Sequence, residues 1–251
     1  MRFLCMHKDP TNESMDNKPS KELIDGMGAL IGEAMQKGIM LGGDGLLPGL
    51  TRYRLAFEKG RCDVTKGTRA GREEQLPQRL VVFKVEKPEQ GLEWAKRFGE
   101  AVGAQRLELG PLTEAWDLGM GTRPPDAPYR FMILQTATPE YEAGKEPNAA
   151  QKQGLRNVLA EMQKAGVLLM HEALLPSSKA VRLNYRDNVR ARTDGPFTES
   201  KELIGGFCML QMRSFDEMAA WTDRFARILG GNIEVDLRIA ADGAGGEGGA
   251  S

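Results

Sequence analysis

The sequence predicts an α+β protein made of two ferredoxin-like halves, each with an extra hairpin, packed sheet to sheet as a pseudo-symmetric pair. Three observations carry this expectation. The chain repeats itself, each copy shows the same order of strand and helix signals, and each copy leaves one apolar sheet face to be covered. "EMQKAGVLLMHEALLP" (161–176) lies over "EAMQKGIMLGGDGLLP" (33–48) without a gap, and the shared Leu-Leu-Pro recurs at a spacing of 128. "VRL" at 181–183 meets "YRL" at 53–55 in the same register, whereas Trp94 and Trp221 are 127 apart. A register kept within one residue over this span is that of a tandem duplication.

Each half opens on a short apolar run, Arg2–Met6 and Arg130–Leu134, of a length suited to a buried strand. A helix follows. Ser20 caps the first, with Leu23, Met27, Leu30, Ile31 and Ala34 on one face, and Asn148 caps the second, with Leu155, Val158, Leu159 and Met162. Gly38 and Gly166 end these helices, as a left-handed glycine should. The strands "IMLGGDGL" and "VLLMHEAL" come next. Then come hairpins turning at Lys59-Gly60 and Asp187-Asn188. "LVVFKV" and "FCMLQM" read as strands, Pro88 and the Ser214–Glu217 capping box start second helices, and "RLELG" and "IEVDLRI" close the halves.

This β-α-β-hairpin-β-α-β order is the split βαβ arrangement, with helices on one sheet face and nothing on the other. An uncovered apolar face favours burial by roughly 25 cal/mol per Å². Two fused copies satisfy it by covering one another. The expected organisation is therefore 1–110 as a first repeat, 111–128 as a Gly- and Pro-rich link, 129–239 as a second repeat and 240–251 as a flexible tail.

Composition narrows the classes of function. The 251 residues are 41% hydrophobic and 27% charged, and 34 basic against 35 acidic side chains leave a net charge of −1. That balance supplies no footprint for nucleic acid or a membrane surface. Cys5, Cys62 and Cys208 lack a paired spacing, so free thiols and a reducing, cytoplasmic setting are expected. The opening "MRFLCMHKDP" is too short in apolar residues for a signal peptide, and no 18-residue apolar run occurs. No metal-ligand spacing and no phosphate loop is present, so neither metal nor cofactor is expected. The methionines, Met162, Met170, Met209 and Met212 among them, read as core filler.

"DGPFTESKELIGGF" (194–207) is the most punctuated stretch. Asp194-Gly195-Pro196-Phe197 is a strong turn, and Gly205-Gly206 permits close backbone approach. With the preceding "AGVLL" and "ALLPS" and the closing "IEVDLRI", this stretch resembles the DGPF branch of the YCII-related proteins. The likeness covers 129–239 nearly throughout and the first half in outline only. It implies the dimeric α/β-barrel group, a scaffold of varied or unassigned function. In the wider family a His–Asp pair has been proposed as the active pair, but Gln135 stands at that histidine's position and His7 follows the first strand of the other copy.

Asp194, Glu199 and Lys201 are candidates for the rim of a pocket between the sheets, or else simply solvated loop residues. His171 is the candidate general base, oriented by Asp194 or Glu172, with a hydrogen-bonded strand-end histidine as the plainer reading. Arg182, its repeat counterpart Arg54, and Tyr185 are candidate ligand contacts, since a guanidinium suits a carboxylate or enol-type anion. The first half lacks the Asp-Gly-Pro-Phe segment, which predicts asymmetry and at most one competent pocket. Binding of a small, anionic molecule in the cleft ranks first. Cofactor-independent acid/base isomerase or lyase chemistry is the alternative, and a protein-interaction or regulatory module is the third. A monomeric pseudo-dimer, or a homodimer of it, is expected.

Overall fold

The computed structural model describes residues 1–8, 19–67, 76–197 and 204–241. In chain order its elements are β1 (Arg2–Lys8), α1 (Lys21–Gln36), β2 (Met40–Gly45), β3 (Tyr53–Glu58), β4 (Arg61–Lys66), β5 (Pro77–Val85), α2 (Pro88–Val102) and β6 (Arg106–Pro111). There follow β7 (Tyr129–Thr136), α3 (Pro139–Glu142), α4 (Ala149–Lys164), β8 (Leu168–Ala173), β9 (Val181–Arg186), β10 (Val189–Asp194), β11 (Ile204–Gln211), α5 (Phe215–Ile228) and β12 (Glu234–Ile239). Short 3-10 turns at Gly49–Thr51 and Ser177–Lys179 precede β3 and β9.

The local signals act as the sequence predicts. The Ser20 and Asn148 side chains accept from Leu23 N and Gln151 N, which satisfies helix-end donors. Ser214 likewise accepts from Glu217 N, whereas the Glu217 carboxylate turns back to Arg213 N, one residue earlier than a capping box requires. Both hairpin turns have two successive residues at positive φ, Lys59 and Gly60 in one and Asp187 and Asn188 in the other. That is the twist two-residue hairpin loops need. Gly38 and Gly166 end their helices at φ +65° and +68°.

The strands form two six-stranded antiparallel sheets, ordered β10-β9-β12-β1-β11-β2 and β4-β3-β6-β7-β5-β8. Each order becomes the other when strand numbers shift by six. The expectation that each half closes its own sheet is not met. β1 and β2 join strands from the second half, and β7 and β8 join strands from the first. In the first sheet β12-β1-β11-β2, covered by α1 and α5, has the ferredoxin-like order, and β6-β7-β5-β8 with α2 and α4 matches it. The reason lies in connectivity. The segment after β6 turns back so that β7 pairs with β6 directly, Leu107 opposite Gln135 and Leu109 opposite Ile133, a local antiparallel pairing.

Three apolar clusters fill the molecule. One lies between the first sheet and α1 with α5, including Phe3, Cys5, Leu210 and Trp221. A second lies between the second sheet and α2 with α4, including Phe83, Phe98, Ile133 and Met162. The third joins Leu4, Met6, Phe207 and Met209 of the first sheet to Leu80, Val82, Met132 and Leu134 of the second. The sheets therefore face each other through their central strands. No described helix is long and apolar enough to cross a membrane.

Candidate ligand-binding site

Strand alternation decides which side chains enter the space between the sheets. Asp236 stands opposite Met6 on β1 and Arg182 on β9, and Arg238 stands opposite Leu4. Met6 and Leu4 belong to the inter-sheet cluster, so Glu234, Asp236 and Arg238 share their face. Val235 and Leu237 point the other way, into the helix-side core. The apolar contact between the sheets thus stops at the central strands, and the flank at β9 and β12 is ionic.

Asp236 is the centre of this flank. Its carboxylate accepts from Arg182 Nε at 2.6 Å and Nη2 at 3.0 Å, and Lys8 Nζ lies 2.9 Å away. Glu234 is 3.2 Å from Arg182 and 3.4 Å from Lys8. Burial pushes the Asp236 carboxyl up, but the Lys8 charge and the Arg182 contact outweigh it and hold the group below the ordinary carboxylate range. Phe197 lies over the Arg182 guanidinium, 4.4 Å from the ring centre.

Arg238 sits deeper, with no exposed surface. Its Nη2 donates to Leu175 O at 2.7 Å, and Glu142 Oε1 is 3.7 Å away. Its Nε and Nη1 have no hydrogen-bond partner among the described residues. Burial lowers the guanidinium pKa, opposed by Glu142 and Asp236. Ser177 ties the neighbourhood together. Its N and Oγ donate to Glu142 Oε2, and its Oγ accepts from Phe197 N at 3.1 Å.

This geometry explains the Asp-Gly-Pro-Phe turn. Gly195 packs on the Ser177 carbonyl so closely that a Cβ would stand 1.7 Å from the oxygen. Gly195 N donates to Ala180 O at 3.0 Å, and the Gly195–Pro196 peptide is cis. The turn docks on the loop before β9 and delivers Phe197 onto Arg182.

The other sequence-chosen residues are scattered. Asp194 is exposed on β10, where Arg192 Nε donates to it at 2.9 Å. It stands opposite Val181, on the helix side of the first sheet. His171 stands opposite Val81 on the helix side of the second sheet. The structure therefore places the two on outward faces of different sheets and does not bring them together. Tyr185 is also on a helix side, its hydroxyl donating to Asp223 at 2.8 Å, and burial raises its pKa further than that contact does. Arg54, opposite Glu108, faces the inter-sheet space from the second sheet. Glu199 and Lys201 lie outside the described residues. Gln135 accepts from Arg79 Nη1 at 3.0 Å, and His7 packs edge-on against Phe225.

Lys8, Asp236, Arg238, Glu142 and Ser177 were missed by the sequence reading. "IEVDLRI" did carry a signal, because Glu234, Asp236 and Arg238 occupy every second position between apolar residues. That pattern marks a strand with one charged face. Among the described residues no group of three or more His, Cys, Asp or Glu is arranged to hold a metal.

No curated protein and no solved structure gives a significant match to this chain. Residues 129–236, which supply β7 and β8 to one sheet and β9 to β12 to the other, match the family model of the YCII-related domain.

Proposed function

We propose that the chain binds a small carboxylate-bearing molecule between its sheets, beside Arg238 and Arg182, as a tandemly duplicated YCII-related protein of the DGPF branch with a pseudo-dimeric α/β-barrel form. The observation that carries this reading is Arg238, wholly buried with two guanidinium nitrogens, Nε and Nη1, lacking a described partner. An orphan buried donor costs about 1–3 kcal/mol, more on a charged group. A ligand oxygen placed there recovers that cost. Among the described residues Lys8, Arg182 and Arg238 are balanced by Glu142, Glu234 and Asp236. Recognition therefore depends on donor direction more than on net charge. Binding is favoured over acid–base catalysis because Asp194 and His171 occupy different sheets.

Titration with acetate and malonate at constant ionic strength, followed by thermal shift, tests the proposal. Wild type is expected to gain stability saturably, and Arg238→Met to lose the share of that response that arises at Arg238 while keeping its cooperative transition. A wild type indifferent to both carboxylates overturns the proposal, with water as the partner of Arg238.

A further inference from the structure

A guanidinium occupies a matching place in both sheets, although one half carries it on a closing strand and the other in the turn before a hairpin strand. In the first sheet it is Arg238, bonded through Nη2 to Leu175 O at 2.7 Å. In the second it is Arg52, just before β3, bonded through Nε to Leu47 O at 2.8 Å and through Nη1 to Glu108 at 3.1 Å. Leu47 and Leu175 are the second leucines of the two Leu-Leu-Pro runs, 128 positions apart. Both arginines have no exposed surface, and Arg52 Nη2, like Arg238 Nε and Nη1, has no partner among the described residues.

The register shows the exchange. Gly110 stands opposite Met132 as Arg238 stands opposite Leu4. Ala180 precedes β9 as Arg52 precedes β3. A Cβ on Gly110 would fall 2.8 Å from Leu46 Cδ2 and 3.6 Å from Arg52 Cδ, so the strand that gives up its side chain leaves room for the one arriving. Burying a cation costs several kcal/mol. Two unrelated chain positions supplying that cation to matching carbonyls, Leu175 O and Leu47 O, each with a donor to spare, indicate that the place itself is used.

Resting on the binding reading above, we infer that the chain holds two small-carboxylate sites, one per sheet, the second formed by Arg52 with Arg54 and Glu108. Among the described residues this site keeps two cations against one carboxylate, and its half has no Asp-Gly-Pro-Phe sequence.

The test is acetate titration of the full chain at constant ionic strength, read from the side-chain Nε–H resonances of Arg52 and Arg238 by NMR. Arg52→Lys and Arg238→Lys supply the assignments. Two saturable responses are expected in wild type; each variant should leave the other arginine's response intact, while thermal shift shows acetate affinity at the substituted site falling by about tenfold. The double substitution Arg52→Ala with Gly110→Arg, which transplants the first sheet's arrangement, should retain both. A response at Arg238 alone overturns the second site and leaves the first reading standing. A response at Arg52 alone overturns the pairing and the Arg238 reading. Silence at both removes both.

Discussion

Arg2 and Glu172 join across the space between the sheets, Nη1 to Oε1 at 2.6 Å. Arg130 and Asp44 make the matching contact at 2.9 Å with the sheets' roles reversed. Each pair ties the first strand of one half to the second strand of the other, so the two bonds clamp opposite borders of the inter-sheet core. Burial raises the carboxyl pKa of Glu172 and Asp44, and Arg2 and Arg130 respectively oppose that rise.

Removing one member of such a pair should cost more than removing both. Arg2→Met leaves Glu172 buried without its cation, a loss of about 1–3 kcal/mol in urea unfolding, whereas Arg2→Met with Glu172→Met should recover most of it. The pH dependence has a definite sign. A carboxyl whose folded pKa exceeds its ordinary 4.5 holds its proton longer in the folded state. Stability therefore falls as pH rises through that window, and Arg2→Met should steepen the fall.

Asp236 has the opposite sign. Its folded pKa lies below the ordinary 3.8, so its contribution is complete above that value and is lost as acid carries pH down through the folded one. Asp236→Asn should flatten the acid limb of the stability profile and cost about 3 kcal/mol at neutral pH, since buried Lys8 and half-buried Arg182 lose their central anion and keep Glu234.

Gly195→Ala tests the docking of the turn. The added Cβ would meet the Ser177 carbonyl at 1.7 Å, and overpacking of this kind costs about 1–3 kcal/mol. Phe197→Leu should cost about 0.5–1 kcal/mol through loss of the ring over Arg182. If Gly195→Ala unfolds at the same temperature as wild type, the close approach is not a constraint.

The helix glycines divide by what lies beside them. Gly28 in α1 has nothing within 4 Å of an added Cβ, so Gly28→Ala should stabilise by about 0.5–1 kcal/mol. Gly99 in α2 would drive its Cβ to 2.2 Å from the Phe57 ring, and Gly99→Ala should destabilise by about 1–3 kcal/mol. Denaturation midpoints of the two variants should move in opposite directions.

Most helices and both hairpins were legible because each rests on local signals, such as Ser20 before an apolar period or Asp187-Asn188 between strands. The partner of each strand was not legible. β1 pairs equally well, by its own pattern, with either closing strand, and only the path of the chain after Pro111 decides. At the site, Arg182 was found because it recurs with Arg54. Arg52 and Arg238 were hidden because each guanidinium reaches its carbonyl from a different kind of position, one in the turn before β3 and one on β12, which a position-by-position comparison of the two halves cannot reveal. α3, capped by Thr138 with Pro139 in its first turn, was not foreseen, and it supplies Glu142.

The exchange of strands fixes how the molecule comes apart. Among the described residues the backbone passes from one sheet to the other twice, at 46–52 and at 174–180, and the strands from β3 to β8 all belong to the second sheet. A protease nick in 112–128 would therefore release nothing, because the severed pieces stay threaded through both layers. Only scission at both crossings would yield two bodies, one of them an unbroken polypeptide and the other stitched from the two ends of the chain.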